Sequence, residues 1–312
     1  MSAPQNFGRI ALIGIGLIGS SIAHAARRAG CVAHIAGYSR SEASRSAAAR
    51  IGFCDSLHDD MAACAKDADI VVLCLPVGAL GEAAATIAPA LKPGAILTDV
   101  GSVKTAVIRD AGPHVPDGVH FIPGHPIAGT EQSGPESGFA TLFDNRWCIL
   151  TPPPGTDEAA VATLTAFWTA LGSKVEAMDP RHHDLVLGIT SHVPHLIAYN
   201  IVGTAADLEE VTQSEVIKFS AGGFRDFTRI AASDPTMWRD VFLNNKDAVL
   251  EMLGAFQEDL SKLTRAIRRG DGDVLFDHFT RTRAIRRGIV NIGQDAPAPD
   301  FGRPHTTLPK QG

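Results

Sequence analysis

The sequence predicts an α/β domain followed by an all-helical one. Three observations predict it. Up to Pro180 the chain alternates short apolar runs with alanine-rich stretches of helical spacing. Several of those runs are continuously apolar, as strands covered on both faces are. Beyond Pro180 the pattern is mainly helical, with only short Gly or Pro breaks. The expected organisation is one domain over 1–179, a helical domain over 180–290, and a loose tail over 291–312 rich in Pro, Gly and Gln.

Taken in order, GRIALIGI (8–15) reads as the first strand and SSIAHAARRAG (20–30) as a helix closed by its glycine. AHIAGYS (33–39), DIVVLCLPV (69–77), AILTDVGS (95–102), HFIPGHP (120–126) and RWCILTP (146–152) read as further strands, and KVEAMD (174–179) as a last short one. This alternation implies a mostly parallel sheet with crossover helices. Residues 181–206 read as one long apolar helix interrupted by Pro194, and 239–269 and 272–287 as two amphipathic helices. RAIRRG occurs at 265–270 and again at 283–288. Each copy reads as a helix C-terminus, with arginines suited to the macrodipole and a closing glycine, in preference to an anion-binding patch.

The bulk numbers exclude some classes. The 312 residues are 45% hydrophobic and 20% charged, with a net charge of −6, so nothing in the bulk electrostatics favours nucleic acid. The five cysteines form no CxxC pair and read as free thiols in a reducing, cytoplasmic setting. Residues 10–26 are not a signal peptide, because only Arg9 supplies basic charge and glycines interrupt the run. No membrane span is expected, since no segment approaches 18 continuous apolar residues.

Gly14-Ile15-Gly16-Leu17-Ile18-Gly19 is a GxGxxG between a predicted strand and a predicted helix, the context in which the motif identifies a Rossmann-type dinucleotide loop. The first glycine permits the turn, the second admits a pyrophosphate, the third packs helix on strand, and the helix N-terminus favours the phosphate charge. An NAD site would place an acid at the end of the second strand. This chain has Ser39, Arg40 and Ser41 there, which suit a 2′-phosphate and favour NADP, with NAD left open.

Ligands of open parallel sheets bind beyond the carboxyl ends of the strands. Pro76, Ser102 and His125 fall at such ends. Ser102 either caps the helix beginning at VKTAVI or faces the ligand. His125, between a glycine and a proline, is a ligand-facing candidate, and Pro126 holds its backbone extended. In the helical region Ser191, His192 and His195 cluster, and GGFRDFTRI carries Asp226 and Arg229. His182, His183, His192 and His195 lack the spacing and companions of a metal site, so no metal is expected.

Together GIGLIGSS, DVGSVK, PGHPIAGTEQSG, SHVPH and GGFRDFTRIAASDPTMW resemble the prephenate/arogenate (cyclohexadienyl) dehydrogenases of tyrosine biosynthesis, over about 8–290. The resemblance implies a helical domain that also dimerises, and a small-molecule substrate between the domains. It implies that His125 is the catalytic histidine at the substrate hydroxyl and that Ser102 contacts both. It implies that Arg229 binds a substrate carboxylate, that Ser191, His192 and His195 line the substrate, and that Asp226 and Trp238 stand near the pocket mouth. Neither an added mutase nor an added regulatory domain is expected, so any tyrosine inhibition would act at the active site. Prephenate and arogenate both remain open as substrates. The rival readings are another Rossmann-type hydroxyacid dehydrogenase and a non-catalytic NADP-binding regulator. The first would look for a lysine on the interdomain helix, and none lies between Lys174 and Lys218.

Overall fold

The computed structural model describes residues 5–207 and 222–291. The tail expected from 291 onward lies almost wholly outside the described residues, as do Phe219 to Ala221 of the glycine-arginine motif.

The main sheet is parallel and six-stranded. Its strands are β1 (Arg9–Ile13), β2 (His34–Tyr38), β3 (Ser56–His58), β4 (Ile70–Leu73), β5 (Ile96–Asp99) and β6 (His120–Phe121), in the order β3-β2-β1-β4-β5-β6. That is the dinucleotide-binding order, with the chain reversing direction of travel across the sheet between β1 and β4. The continuously apolar runs are explained by burial on both faces. Ile10 and Leu12 of β1 enter one core and Ala11 and Ile13 the other. Helix α1 (Leu17–Ala29) closes at Gly30 in the left-handed conformation, φ 61°. Helices α2 (Glu42–Ile51), α3 (Met61–Ala65), α4 (Leu80–Ile87) and α5 (Thr105–Ala111) complete the crossovers.

One predicted strand divides. HFIPGHP was expected as a single strand over 120–126, but only β6 joins the main sheet. The Ile122 amide donates the last bond to Leu97 of that sheet, and the next carbonyl, Pro123, accepts from Thr151. Pro123 has no N–H to continue the ladder, so the chain changes sheets within one residue. The new strand, β7 (Gly124–Pro126), pairs antiparallel with β8 (Trp147–Leu150), and β8 pairs parallel with β9 (Lys174–Ala177). Helix α6 (Glu158–Ala170) joins β8 to β9.

The long apolar helix expected over 181–206 forms as α7 (Pro180–Leu187), a π-helical turn (Gly188–His192) and α8 (Val193–Asp207). Pro194 supplies no N–H to the ladder, and the π turn lies just before it. This run is long and apolar enough to cross a membrane by length and composition. Within it His183, Asp184 and His192 are buried and hydrogen-bonded to other elements of the fold. Helices α9 (Gly222–Thr228), α10 (Pro235–Asn244), α11 (Lys246–Arg269) and α12 (Gly272–Asn291) follow. The first RAIRRG ends α11, with Gly270 at φ 68°. The second ends nothing: α12 runs through Gly288, because the residues around it keep helical backbone and Gly288 needs no positive φ.

By compactness the chain divides into Met1–Val249 and Leu250–Gly312. The physical reason is that α10 belongs to the sheet's own core. Trp238 and Val241 share it with Val77, Leu80 and Leu97.

Candidate active site

The glycine loop is built for a dinucleotide. Gly14 has φ 107°, and a Cβ there would collide with the Cys74 carbonyl after β4. A Cβ on Gly19 would collide with the Gly14 carbonyl. At Gly16 nothing lies within 4 Å of a Cβ position, so this is where the backbone is open to a pyrophosphate. Gly16 caps α1 without a side-chain partner, which leaves the first amides of the helix as anion donors. Leu17 and Ile18 form its first turn, and the Ser20 hydroxyl braces the loop on the Gly16 carbonyl at 2.7 Å. Pro76 is exposed just past β4.

At the end of β2, Ser41 caps α2 by accepting from the Ser44 amide, and Ser39 is half-buried. Arg40 is exposed, and its guanidinium has no partner among the described residues. Sequence reasoning missed Arg45, whose guanidinium donates to the Ser39 carbonyl at 2.7 Å and the Arg40 carbonyl at 3.0 Å.

The strand-end site is a buried polar network. His125, on β7, keeps 8% of its surface exposed. Its Nδ1 lies 2.8 Å from His183 Nε2, and His183 Nδ1 lies 2.8 Å from Asp184 Oδ1. The Asp184 carboxylate also accepts from the Lys104 amide at 2.8 Å and the Thr105 amide at 2.9 Å. It therefore caps α5 from across the fold, and Ser102, weighed above as that cap, is not the cap. The Ser102 hydroxyl has no partner among the described residues.

Beneath His125 lie Asp99 and Lys104, both sealed from solvent. Lys104 Nζ donates to Asp99 Oδ2 at 2.5 Å and to the Gly124 carbonyl at 2.6 Å, while the Gly124 amide donates to Asp99 Oδ1 at 3.1 Å. The pair thus grips both sides of the residue preceding His125. Burial pushes the Asp99 carboxyl up and the Lys104 ammonium down, and their mutual attraction opposes both shifts. Burial, then the neighbouring His183, Lys104 and His192, hold His125 well below the usual histidine range.

Above this network His195 stacks on Trp238 at 3.6 Å between ring centroids, and its Nδ1 donates to the Ser191 carbonyl at 2.8 Å. Arg229 follows α9 and reaches Glu131 Oε2 at 3.3 Å. It also contributes to holding the His195 imidazole low, after burial. Two expectations fare differently. His192, expected to line the substrate, is sealed from solvent; its Nδ1 accepts from Asn245, and burial brings it to about 4. Asp226, expected near the pocket mouth with Trp238, is exposed and pairs with its neighbour Arg225 at 3.6 Å, whereas Trp238 is buried. Of the loop after His125, Glu131 meets Arg229, Thr130 accepts from the Gln132 amide, and the Ser133 carbonyl accepts from Ser137. Among the described residues no group of His, Cys, Asp and Glu is arranged to hold a metal ion.

A glycine-loop sheet of this strand order, with a buried histidine on the second sheet that adjoins it, defines a Rossmann-type nucleotide-binding protein. The comparisons narrow the class. The model of the prephenate dehydrogenase nucleotide-binding domain matches residues 22–177, and that of the prephenate dehydrogenase dimerization domain matches residues 179–281. The chain belongs to the prephenate dehydrogenase family. It is 42% identical over 283 residues to the cyclohexadienyl dehydrogenase of Zymomonas mobilis, covering 91% of this chain and 96% of that one. It superposes on the prephenate dehydrogenase of A. aeolicus in complex with hydroxyphenyl propionate and NAD+, at a TM-score of 0.84 and 34% identity, covering 93% and 100% of the two chains. It superposes on Synechocystis arogenate dehydrogenase at a TM-score of 0.74 and 28% identity, covering 90% and 99%.

Proposed function

We propose that this prephenate-type dehydrogenase oxidatively decarboxylates prephenate, arogenate or both, yielding 4-hydroxyphenylpyruvate or tyrosine. The observation that carries the reading is the buried His125 on β7, its Nδ1 engaged by His183, in a chain of this family. The substrate is a cyclohexadienol with a carboxylate across the ring from the hydroxyl carbon. When bound, the nicotinamide accepts the hydride. His125 takes the hydroxyl proton at Nε2, the nitrogen that His183 leaves free. Ser102 supplies a hydroxyl to the same oxygen. Loss of the proton and hydride leaves a dienone that draws electrons from the ring carboxylate, and CO2 departs as the ring becomes aromatic. Arg229 holds the anion, with His195 and Ser191 beside it and Trp238 as the stacking floor. In this reading Glu131 occupies Arg229 until substrate replaces it.

The assay that tests the function follows absorbance at 340 nm with each substrate and each dinucleotide. The expected result is reduction with at least one substrate, and no reduction with either overturns the proposal. Arg229→Ala is expected to raise substrate KM roughly 10–100-fold, the loss of a charge-assisted hydrogen bond, with a smaller effect on kcat. An unchanged KM places Arg229 outside the substrate site.

NADP is the favoured cofactor in this proposal, because β2 ends without an acid and presents Arg40 beside the pinned Arg45. Arg40→Ala is expected to lower kcat/KM for NADP roughly tenfold or more and to spare NAD. A strong NAD preference that the substitution leaves unchanged overturns this part.

A functional boundary at 179/180, a cytoplasmic location and a homodimer belong to the same proposal. The match of the family's dimerization domain supports the dimer. So do the exposed Leu260, Ile267, Val274, Phe276, Phe279 and Ile285 of α11 and α12. Sedimentation is expected to return twice the chain mass.

A further inference from the structure

We infer that Asp184, acting through His183, is a positioning residue that decides which nitrogen of His125 carries the proton. The inference rests on the reading of His125 as the base. It follows from counting donors along one chain of contacts. The Asp184 carboxylate faces the Lys104 and Thr105 amides, both donors, and the His183 ring. These bonds hold it ionised, and burial, the largest opposing effect, is outweighed. An ionised carboxylate only accepts, so His183 Nδ1 carries a proton. Burial outweighs Asp184 and keeps the His183 ring below the ordinary histidine range, in the neutral form. A neutral His183 with a proton on Nδ1 has a bare Nε2. That nitrogen stands 2.8 Å from His125 Nδ1, which must therefore be the donor. The proton of neutral His125 thus sits on Nδ1, and Nε2 is left with a lone pair, the form a general base needs.

The same carboxylate has a second task. By accepting from the first amides of α5 it ties α7 to the segment that follows Ser102. Asn245 donates to the Asp184 carbonyl at 2.9 Å, which fixes that residue from the other side. Ring orientation and the placement of the serine segment therefore share one anchor. Asparagine at 184 has no orientation that suits all three contacts: with its oxygen toward Lys104 and His183 its NH2 meets the Thr105 amide, and with its NH2 toward His183 the same group meets the Lys104 amide.

The test is the ring 15N spectrum of the full-length, ligand-free protein, with His125 assigned by its absence in His125→Asn. Wild type is expected to show a protonated Nδ1 and a bare Nε2 at His125. Asp184→Asn, which removes the anion and loses one pairing in either orientation, is expected to weaken the single-tautomer signature of His125 and to lower kcat roughly tenfold or more, with substrate KM within a few-fold. Because Asp184 also caps α5, His183→Phe is measured beside it. That variant leaves the capping carboxylate in place, and its His125 is expected to lose the single-tautomer signature. A wild-type spectrum with the proton on His125 Nε2 overturns the inference. So does a His125 tautomer unmoved in both variants. These outcomes are separate from the fate of the base itself. A His125→Asn enzyme that kept its activity would remove His125 from the reaction and leave the tautomer assignment standing.

Discussion

His125→Asn is expected to lower kcat by on the order of 10²–10⁴, with substrate KM within a few-fold of wild type. The asymmetry follows from what the side chain is asked to do. Its Nε2 takes a proton only as hydride departs, so its loss removes an interaction of the transition state and little of the ground state. Asparagine fits the space and can still pair with His183, which keeps the local packing while deleting the base. The pH dependence has a definite sign. The folded pKa of His125 lies well below the ordinary 6.5, through burial first and then through His183, Lys104 and His192. The neutral, reactive form is therefore present at pH 7, and the acid limb of kcat/KM is expected below pH 6.5. Stability moves the same way. A histidine with a depressed folded pKa binds protons more readily when unfolded, so stability falls as pH drops below its unfolded value. His183 and His192 are depressed too and add to that loss. An acid limb at or above pH 7 overturns this account, and a His125→Asn enzyme within a few-fold of wild type removes the residue from the mechanism.

Lys104→Met is expected to cost about 3–5 kcal/mol of stability, because it leaves the Asp99 carboxylate buried without its cation. Few substitutions reach that size, and those that do act through a named buried defect. Here the defect is double. Asp99 loses its charge partner, and the Gly124 carbonyl loses its donor. Urea denaturation followed by tryptophan fluorescence measures the cost. The double substitution with Asp99→Asn is expected to recover part of it, since the two side chains share one interaction. A cost under about 1 kcal/mol would mean that the pair holds no charge that needs pairing.

Much of the site was legible before folding, and the reason is locality. The glycine loop announces itself because each glycine answers a constraint within a few residues or at the adjoining strand. His125 was legible as a strand-end residue fixed by Pro126, although the sheet that strand joins was not. His183 was visible only as one histidine among several, and Asp184 carried no local signal. Its role as a cap belongs to a helix 79 and 80 residues earlier in the chain. Lys104 read as part of a motif, yet its burial could not be read from a charged residue at the start of a helix. A weak signal did exist for the acid: a carboxylate beside a histidine on an otherwise apolar helical run needs a buried partner.

The sequence by itself determined the α/β character, the parallel sheet, the phosphate loop, and the residues of the family's motifs. Those are products of periodicity, turn chemistry and spacing, which depend on near neighbours. Only the tertiary structure decided the exit of the 120–126 strand into a second sheet. It alone seated His192 below the site and brought α10 into the sheet's core. It also chained Asp184, His183 and His125 together across 58 residues of sequence. A buried polar group must find its partner among whatever the packing brings alongside, and that choice is made by the stacking of elements rather than by the order of residues.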